Sequence, residues 1–74
     1  MAEDIYFTVH GGMTLERIHY EGEKREGQIF KKVDGKWGWS HSDTAEDIYF
    51  HDYLDWAPCS AEQAKAFMEK AESK

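Results

Sequence analysis

From Ile5 to His10 apolar and polar residues alternate, with Ile5, Phe7 and Val9 on one side and Tyr6, Thr8 and His10 on the other. This is the period of a half-buried strand, and Gly11-Gly12 supplies the positive-φ positions of a tight turn. Leu15 to Tyr20 predicts a second strand, with Ile18 and Tyr20 on one face and Arg17 and His19 on the other; a short helical turn over 13–18 is the alternative. Glu21 to Gly27 is charged and punctuated by glycine, and reads as a loop. Gln28 to Val33 predicts a third strand, with Ile29 and Val33 facing away from Phe30. Asp34-Gly35 then signals a hairpin into Lys36 to Ser40, where Trp37 and Trp39 share a face and Gly38 leaves the other bare.

The second half carries a different period. Ser42-Asp43-Thr44 offers short oxygen side chains for a helix start, Glu46 and Asp47 suit the first turn, and Thr44…Asp47 has the spacing of a capping box. Over 45–57, Ala45, Tyr49, Phe50, Tyr53, Leu54, Trp56 and Ala57 fall on one half of a helical wheel. Asp47, His51 and Asp55 line the other half, with Asp52 beside them. A strand with Ile48, Phe50, Leu54 and Trp56 inward also fits, but it turns Asp52 into the same face, so a helix is the preferred reading. Pro58 ends it. Ser60…Gln63 is the capping box of a further helix with Ala61, Ala64, Phe67, Met68 and Ala71 as its apolar stripe, and residues 72–74 should fray. The order β-β-β-β-α-α predicts an α+β fold, a small antiparallel meander of about four strands with two C-terminal helices packed on one face.

One segment tests this division. Ala2-Glu3-Asp4-Ile5-Tyr6-Phe7 recurs unchanged as Ala45-Glu46-Asp47-Ile48-Tyr49-Phe50. The first copy runs into an alternating Thr8-Val9-His10 and should be a strand. The second runs into residues with a four-residue recurrence and should be a helix. Context would then override local preference in at least one copy.

Seventy-four residues predict a single domain, 1–74. A chain of this size hides about 60–65% of its unfolded surface, so large side chains matter. Aromatic residues make up 15% of it, enough for an aromatic core or for exposed aromatics that bind a partner. One cysteine, Cys59, leaves no intrachain disulfide, and no apolar run has the length of a membrane span. Together with an acidic N-terminus this gives a cytoplasmic location as the expectation.

The net charge of -6 is uneven, with five carboxylates and no Lys or Arg between Asp43 and Asp55, while Lys24, Arg25, Lys31, Lys32 and Lys36 gather earlier. No histidine or cysteine pair has the close spacing of a zinc motif. His51 and Asp55, one helical turn apart on the predicted helix, could share a metal, but a solvated pair is the plainer explanation. Cys59 has no nucleophile motif around it and Gly35-Lys36-Trp37-Gly38 is no phosphate loop, so neither an enzyme nor a metal or cofactor is expected.

Two surfaces could instead carry binding. Asp43, Glu46, Asp47, Asp52 and Asp55, with Glu62 and Glu69 beyond, would form a carboxylate array on the outer helix faces, able to imitate nucleic-acid phosphates toward a basic partner. Lys31, Lys32 and Lys36 interleaved with Trp37 and Trp39 would suit single-stranded nucleic acid, although a chain of this acidity repels phosphate at long range. Exposed aromatics burying one another in a homodimer are a third reading. In size, charge and its single cysteine, the chain is similar to the small acidic inhibitors that phages and mobile elements carry, anti-CRISPR proteins among them, a likeness of profile that covers no motif. The preferred expectation is a protein-binding module, with inhibition in that manner as its narrower form, direct nucleic-acid binding as the alternative and no membrane partner.

Overall fold

The computed structural model describes residues 4–53 and 55–73. Five antiparallel strands, β1 (Ile5–Val9), β2 (Thr14–Glu21), β3 (Lys24–Val33), β4 (Lys36–His41) and β5 (Trp56–Cys59), form one sheet in the order β4-β3-β2-β1-β5. Helix α1 (Ala45–His51) lies between β4 and β5, and α2 (Ala61–Glu72) follows β5. The α+β class and the β1–β4 meander are as the hydrophobic pattern predicts.

Period-two alternation gives this sheet two apolar faces. On the first face Phe7, Val9 and Ile18 close over Ala45 and Ile48 of α1, with Tyr49 and Trp56 packed around them. On the second, Leu15 and Phe30 meet Ala64 and Ala71 of α2, flanked by Tyr6, Trp37, Trp39 and Phe67. The two helices therefore cover opposite faces, where the sequence pattern predicts a shared one. The physical reason lies in β1 and β2: Phe7 and Tyr6, like Ile18 and Leu15, are apolar on both sides of the pleat, so one layer of helix would have left the other side wet.

The second half departs from its prediction in extent. Helix α1 has seven residues, not the thirteen of 45–57. Asp52 takes a left-handed conformation (φ 50°) and its N–H closes the helix on the carbonyl of Asp47, a conformation that Asp tolerates better than most residues. Trp56–Cys59 then becomes an edge strand on β1, with Pro58 opposite Phe7; an edge is where a strand accepts a residue without an N–H. A single helical wheel over 45–57 averages a helix and a strand. The inward residues are Ala45 and Ile48, while Phe50 and Tyr53 are exposed. Leu54 lies outside the described residues.

Of four local expectations, two hold and two do not. The Ser60 capping box forms, with Gln63 N–H donating to Ser60 Oγ at 3.1 Å and Ser60 N–H donating to Gln63 Oε1 at 2.9 Å. Thr44 makes no side-chain cap; its hydroxyl pairs with that of Ser42 at 3.2 Å instead. The loop expected over 21–27 shrinks to Gly22-Glu23, because Lys24–Gly27 joins β3 and pairs with Ile18–Glu21. The repeated sequence divides as predicted: Ile5-Tyr6-Phe7 is strand and Ile48-Tyr49-Phe50 is helix.

Gly27 fixes where α1 sits. A Cβ built there would stand 2.7 Å from the Ser42 carbonyl oxygen and 2.8 Å from Ala45 Cβ, and Ser42 N–H donates to the Gly27 carbonyl at 2.8 Å. The start of α1 thus rests directly on the β3 backbone. Gly27→Ala should cost about 1–3 kcal/mol in urea unfolding, as overpacking does against a neighbour that cannot give way. Gly38→Ala, with nothing within 4 Å of its Cβ, should be neutral or stabilising by about 0.5–1 kcal/mol. Equal costs at the two positions would contradict this packing.

Candidate partner-binding site

The acidic segment emerges from the end of β4 and runs across α1 to the start of β5. Its carboxylates have unequal company. Asp43 Oδ1 lies 2.6 Å from His41 Nε2. Glu46 accepts from Arg25 Nε at 3.1 Å, and the same guanidinium sits 4.6 Å over the Phe50 ring. Asp52 Oδ1 accepts the indole N–H of Trp56 at 2.9 Å, holding that ring against Tyr49 (5.0 Å) and Phe7 (5.9 Å). Asp47 and Asp55 are exposed and, among the described residues, take part in no ion pair.

Of the predicted five, Asp47 and Asp55 are therefore open, Asp43 and Glu46 are partnered at the surface, and Asp52 is a structural residue that ends a helix and anchors an indole. Glu62 and Glu69 sit on α2, across the sheet from α1, so the array does not continue over both helices. Helix α1 stops at His51, which removes the one-turn relation of His51 to Asp55. Among the described residues no group of three or more His, Cys, Asp or Glu is arranged to hold a metal ion.

What the periodic reading misses is the apolar content of this segment. Phe50 is 40% and Tyr53 65% exposed, side by side with open carboxylates. The helical wheel assigns both to the core. A single signal could have moved them out: a helix of seven residues resting on Ala45 and Ile48 turns position 50 away from the sheet.

Asp43 also closes a chain of hydrogen bonds across the second face, on the part of the sheet beyond the α2 cluster. Arg17 Nε donates to Gln28 Oε1 (2.6 Å), Gln28 Nε2 donates to Glu26 Oε1 (2.7 Å), and His41 stands between Glu26 (2.9 Å) and Asp43. At the other end Asp4 meets His19 at 2.9 Å and Arg17 at 3.5 Å. The bonds to Asp43 and then Glu26 hold His41 above its ordinary pKa, and Gln28 and then His41 pull Glu26 below its own. Burial would raise Asp4, but the His19 bond, the Tyr20 N–H and two nearby cations outweigh it, so its carboxyl is lowered.

The lysine–tryptophan hairpin is divided by the pleat. By strand alternation Lys31 and Lys36 lie on the first face with Gly38, and Lys32 lies on the second beside Trp37. Both tryptophans are half-buried and already engaged, Trp37 stacked on a ring and Trp39 tilted against one. Trp37 lies 5.2 Å from Phe30, and Trp39 lies 5.4 Å from Phe30 with the Arg17 guanidinium 4.1 Å over it. Cys59 is half-buried among Tyr6 and Leu15, and burial raises its thiol pKa, which lowers its thiolate fraction and reactivity.

Glu16 is the one buried charged residue among the described residues, 3% exposed between Phe7 and Ile29. Burial raises its pKa, opposed by a long 3.4 Å bond from Ser42 Oγ and by His10. An acid raised in the folded state contributes most below its ordinary pKa and loses that contribution as pH climbs through the raised value. Glu16→Gln should therefore stabilise the fold at neutral pH, with the gain fading in acid, as thermal unfolding across pH would read. A variant no more stable at pH 7 contradicts this. For His41, the sign places its contribution below the ordinary value of 6.5, fading as pH rises past the raised one. An NMR titration should find its pKa above 6.5 and falling in Asp43→Asn; a His41 indifferent to that change would contradict the bridge.

No protein-family model matches this chain, and neither a curated protein nor a solved structure matches it.

Proposed function

We propose that the protein is a protein-binding module that docks residues 43–55 on a partner with a basic surface. One observation carries the reading: Phe50 and Tyr53 are exposed inside a run of carboxylates that contains no Lys or Arg. Apolar anchors inside a polar rim are the composition of protein interfaces. Exposed carboxylates in such a rim steer a cationic partner and make the association salt-dependent.

The division of labour follows from the side-chain partners. Asp47 and Asp55 supply open negative charge. Tyr53, the more exposed ring, has both an apolar face and a hydroxyl to offer. Phe50 shares its face with Arg25, and Glu46 holds that arginine in place. Asp52 keeps the segment in shape by ending α1 and pinning Trp56. Since Asp43, Glu46 and Asp52 are engaged within the chain, imitation of a phosphate row is the narrower form of this reading and aromatic anchoring the broader one. Inhibition of a nucleic-acid-handling partner would be one outcome of such docking.

Affinity capture from the cell that encodes the protein tests the proposal with two variants that leave Ala45, Ile48 and Asp52 intact. Asp47→Lys/Asp55→Lys should lose a partner that wild type releases in high salt, and Phe50→Ser/Tyr53→Ser should lose the same partner while retaining the wild-type circular dichroism spectrum. Retention of that partner by both folded variants, or binding indifferent to salt, refutes the reading. Gel shift of an oligonucleotide by wild type, abolished by Trp37→Ala/Lys32→Ala, would establish the nucleic-acid alternative instead.

A further inference from the structure

The β2–β3 ladder ends at Glu16–Ile29, whereas β3 continues in pairing with β4 as far as Val33. The sheet therefore forks, and the end of β3 has a strand on one side only. Asp34 and Gly35 both have positive φ (53° and 81°), the signature of a two-residue type I′ turn, in which the flanking pair Val33–Lys36 exchanges hydrogen bonds. Alternation then turns the N–H and C=O of Lys32 away from β4 and into the fork.

A cleft of about 360 Å³ occupies this fork. Phe30, Trp37, Phe67 and Ala71 give it an apolar lining, and Lys31 and Lys32 stand at its wall. A second hollow of about 250 Å³ shares Phe67 and Ala71 with it and reaches Lys70 and Gly12. Met13, 80% exposed, borders both. Among the described residues none of Lys31, Lys32 and Lys70 takes part in an ion pair. Uncommitted cations thus surround an apolar floor in a chain whose net charge is -6.

We propose that this cleft binds a small amphiphilic anion, a short acyl or aryl carboxylate. The apolar body would lie against Trp37, Phe67 and Ala71. The carboxylate would take the Lys32 N–H together with the Lys32 ammonium, a charge-assisted bond stronger than a neutral one, while Lys31, on the other side of the pleat at the cleft's rim, adds longer-range attraction. A volume of about 360 Å³ falls at the low end for small-molecule sites, roughly 300–1,000 Å³, which limits the body to one short chain or one aryl group. The site shares no residue with segment 43–55 and stands whether or not that segment docks a protein.

Octanoate below its micelle concentration is the probe, titrated into the ¹⁵N-labelled protein. Amide signals of 30–37 and 67–71 should shift saturably, while octyltrimethylammonium, with the same chain and the opposite charge, should leave them in place. Lys31→Gln/Lys32→Gln changes only exposed side chains and should weaken octanoate binding about tenfold or more. Equal binding of the cationic probe, an unchanged affinity in the lysine variant, or shifts centred on 43–55 would each overturn the proposal. So would sedimentation showing a dimer that shields the same amides, since a second copy would then be the occupant.

Discussion

Helix α1 rests on Gly27 with only the Ala45 methyl between them, and most of this structure depends on that contact. The first face of the sheet presents Phe7, Val9 and Ile18, and among the described residues the one helix that covers it has seven residues. So short a helix can close over three large apolar side chains only if it lies close to the sheet. The missing Cβ at position 27 permits this: Ala45 and the Ser42 carbonyl occupy the space that any other residue would fill. Once α1 is seated with Ala45 and Ile48 inward, Tyr49 falls against Phe7 and Phe50 is turned out. Asp52 then reverses the chain, and Trp56 completes the first core as the opening residue of β5.

The repeated sequence belongs to the same arrangement. Phe7 of the first copy touches Tyr49 of the second, with ring centroids 5.5 Å apart, and Ile5 packs on the cluster that holds Ile48. A strand and a helix of identical local sequence thus pack on each other. Their conformations come from the residues on the C-terminal side of each copy: an alternating Thr8-Val9 in one case, a left-handed Asp52 in the other. Neither local propensity decides the outcome.

The same dependence on context marks how far the sequence could be read. The four meander strands were legible because Ile5/Phe7/Val9 and Trp37/Trp39 alternate and Asp34-Gly35 is a strong hairpin signal. The capping box at Ser60 was legible because it is a local bond between residues three apart. Strand β5 was not, since Trp56-Ala57-Pro58-Cys59 has no period of its own and owes its conformation to pairing with β1. The Glu16 burial was hidden for the same reason, because only the pairing places Phe7 and Ile29 beside it. For the candidate site, the density of carboxylates at 43–55 was visible, but their partners were not. Arg25 reaches Glu46 from a distant strand, and the local pairs His41–Asp43 and Asp52–Trp56 form only because β4 ends at His41 and the chain reverses at Asp52. Phe50 and Tyr53 read as core only on a helix that continues past Asp52.

Charge and apolar surface are thereby sorted into separate regions, an acidic segment bearing two exposed rings and a fork bearing uncommitted lysines. The segment is the part on which function is proposed to rest, and a residue-level footprint tests it most directly. In an NMR titration of the ¹⁵N-labelled protein with its captured partner, amide shifts should concentrate at Asp47, Phe50, Tyr53 and Asp55 and diminish with added salt. Shifts concentrated on Lys32, Trp37 and Phe67, with 43–55 unmoved, would contradict the account.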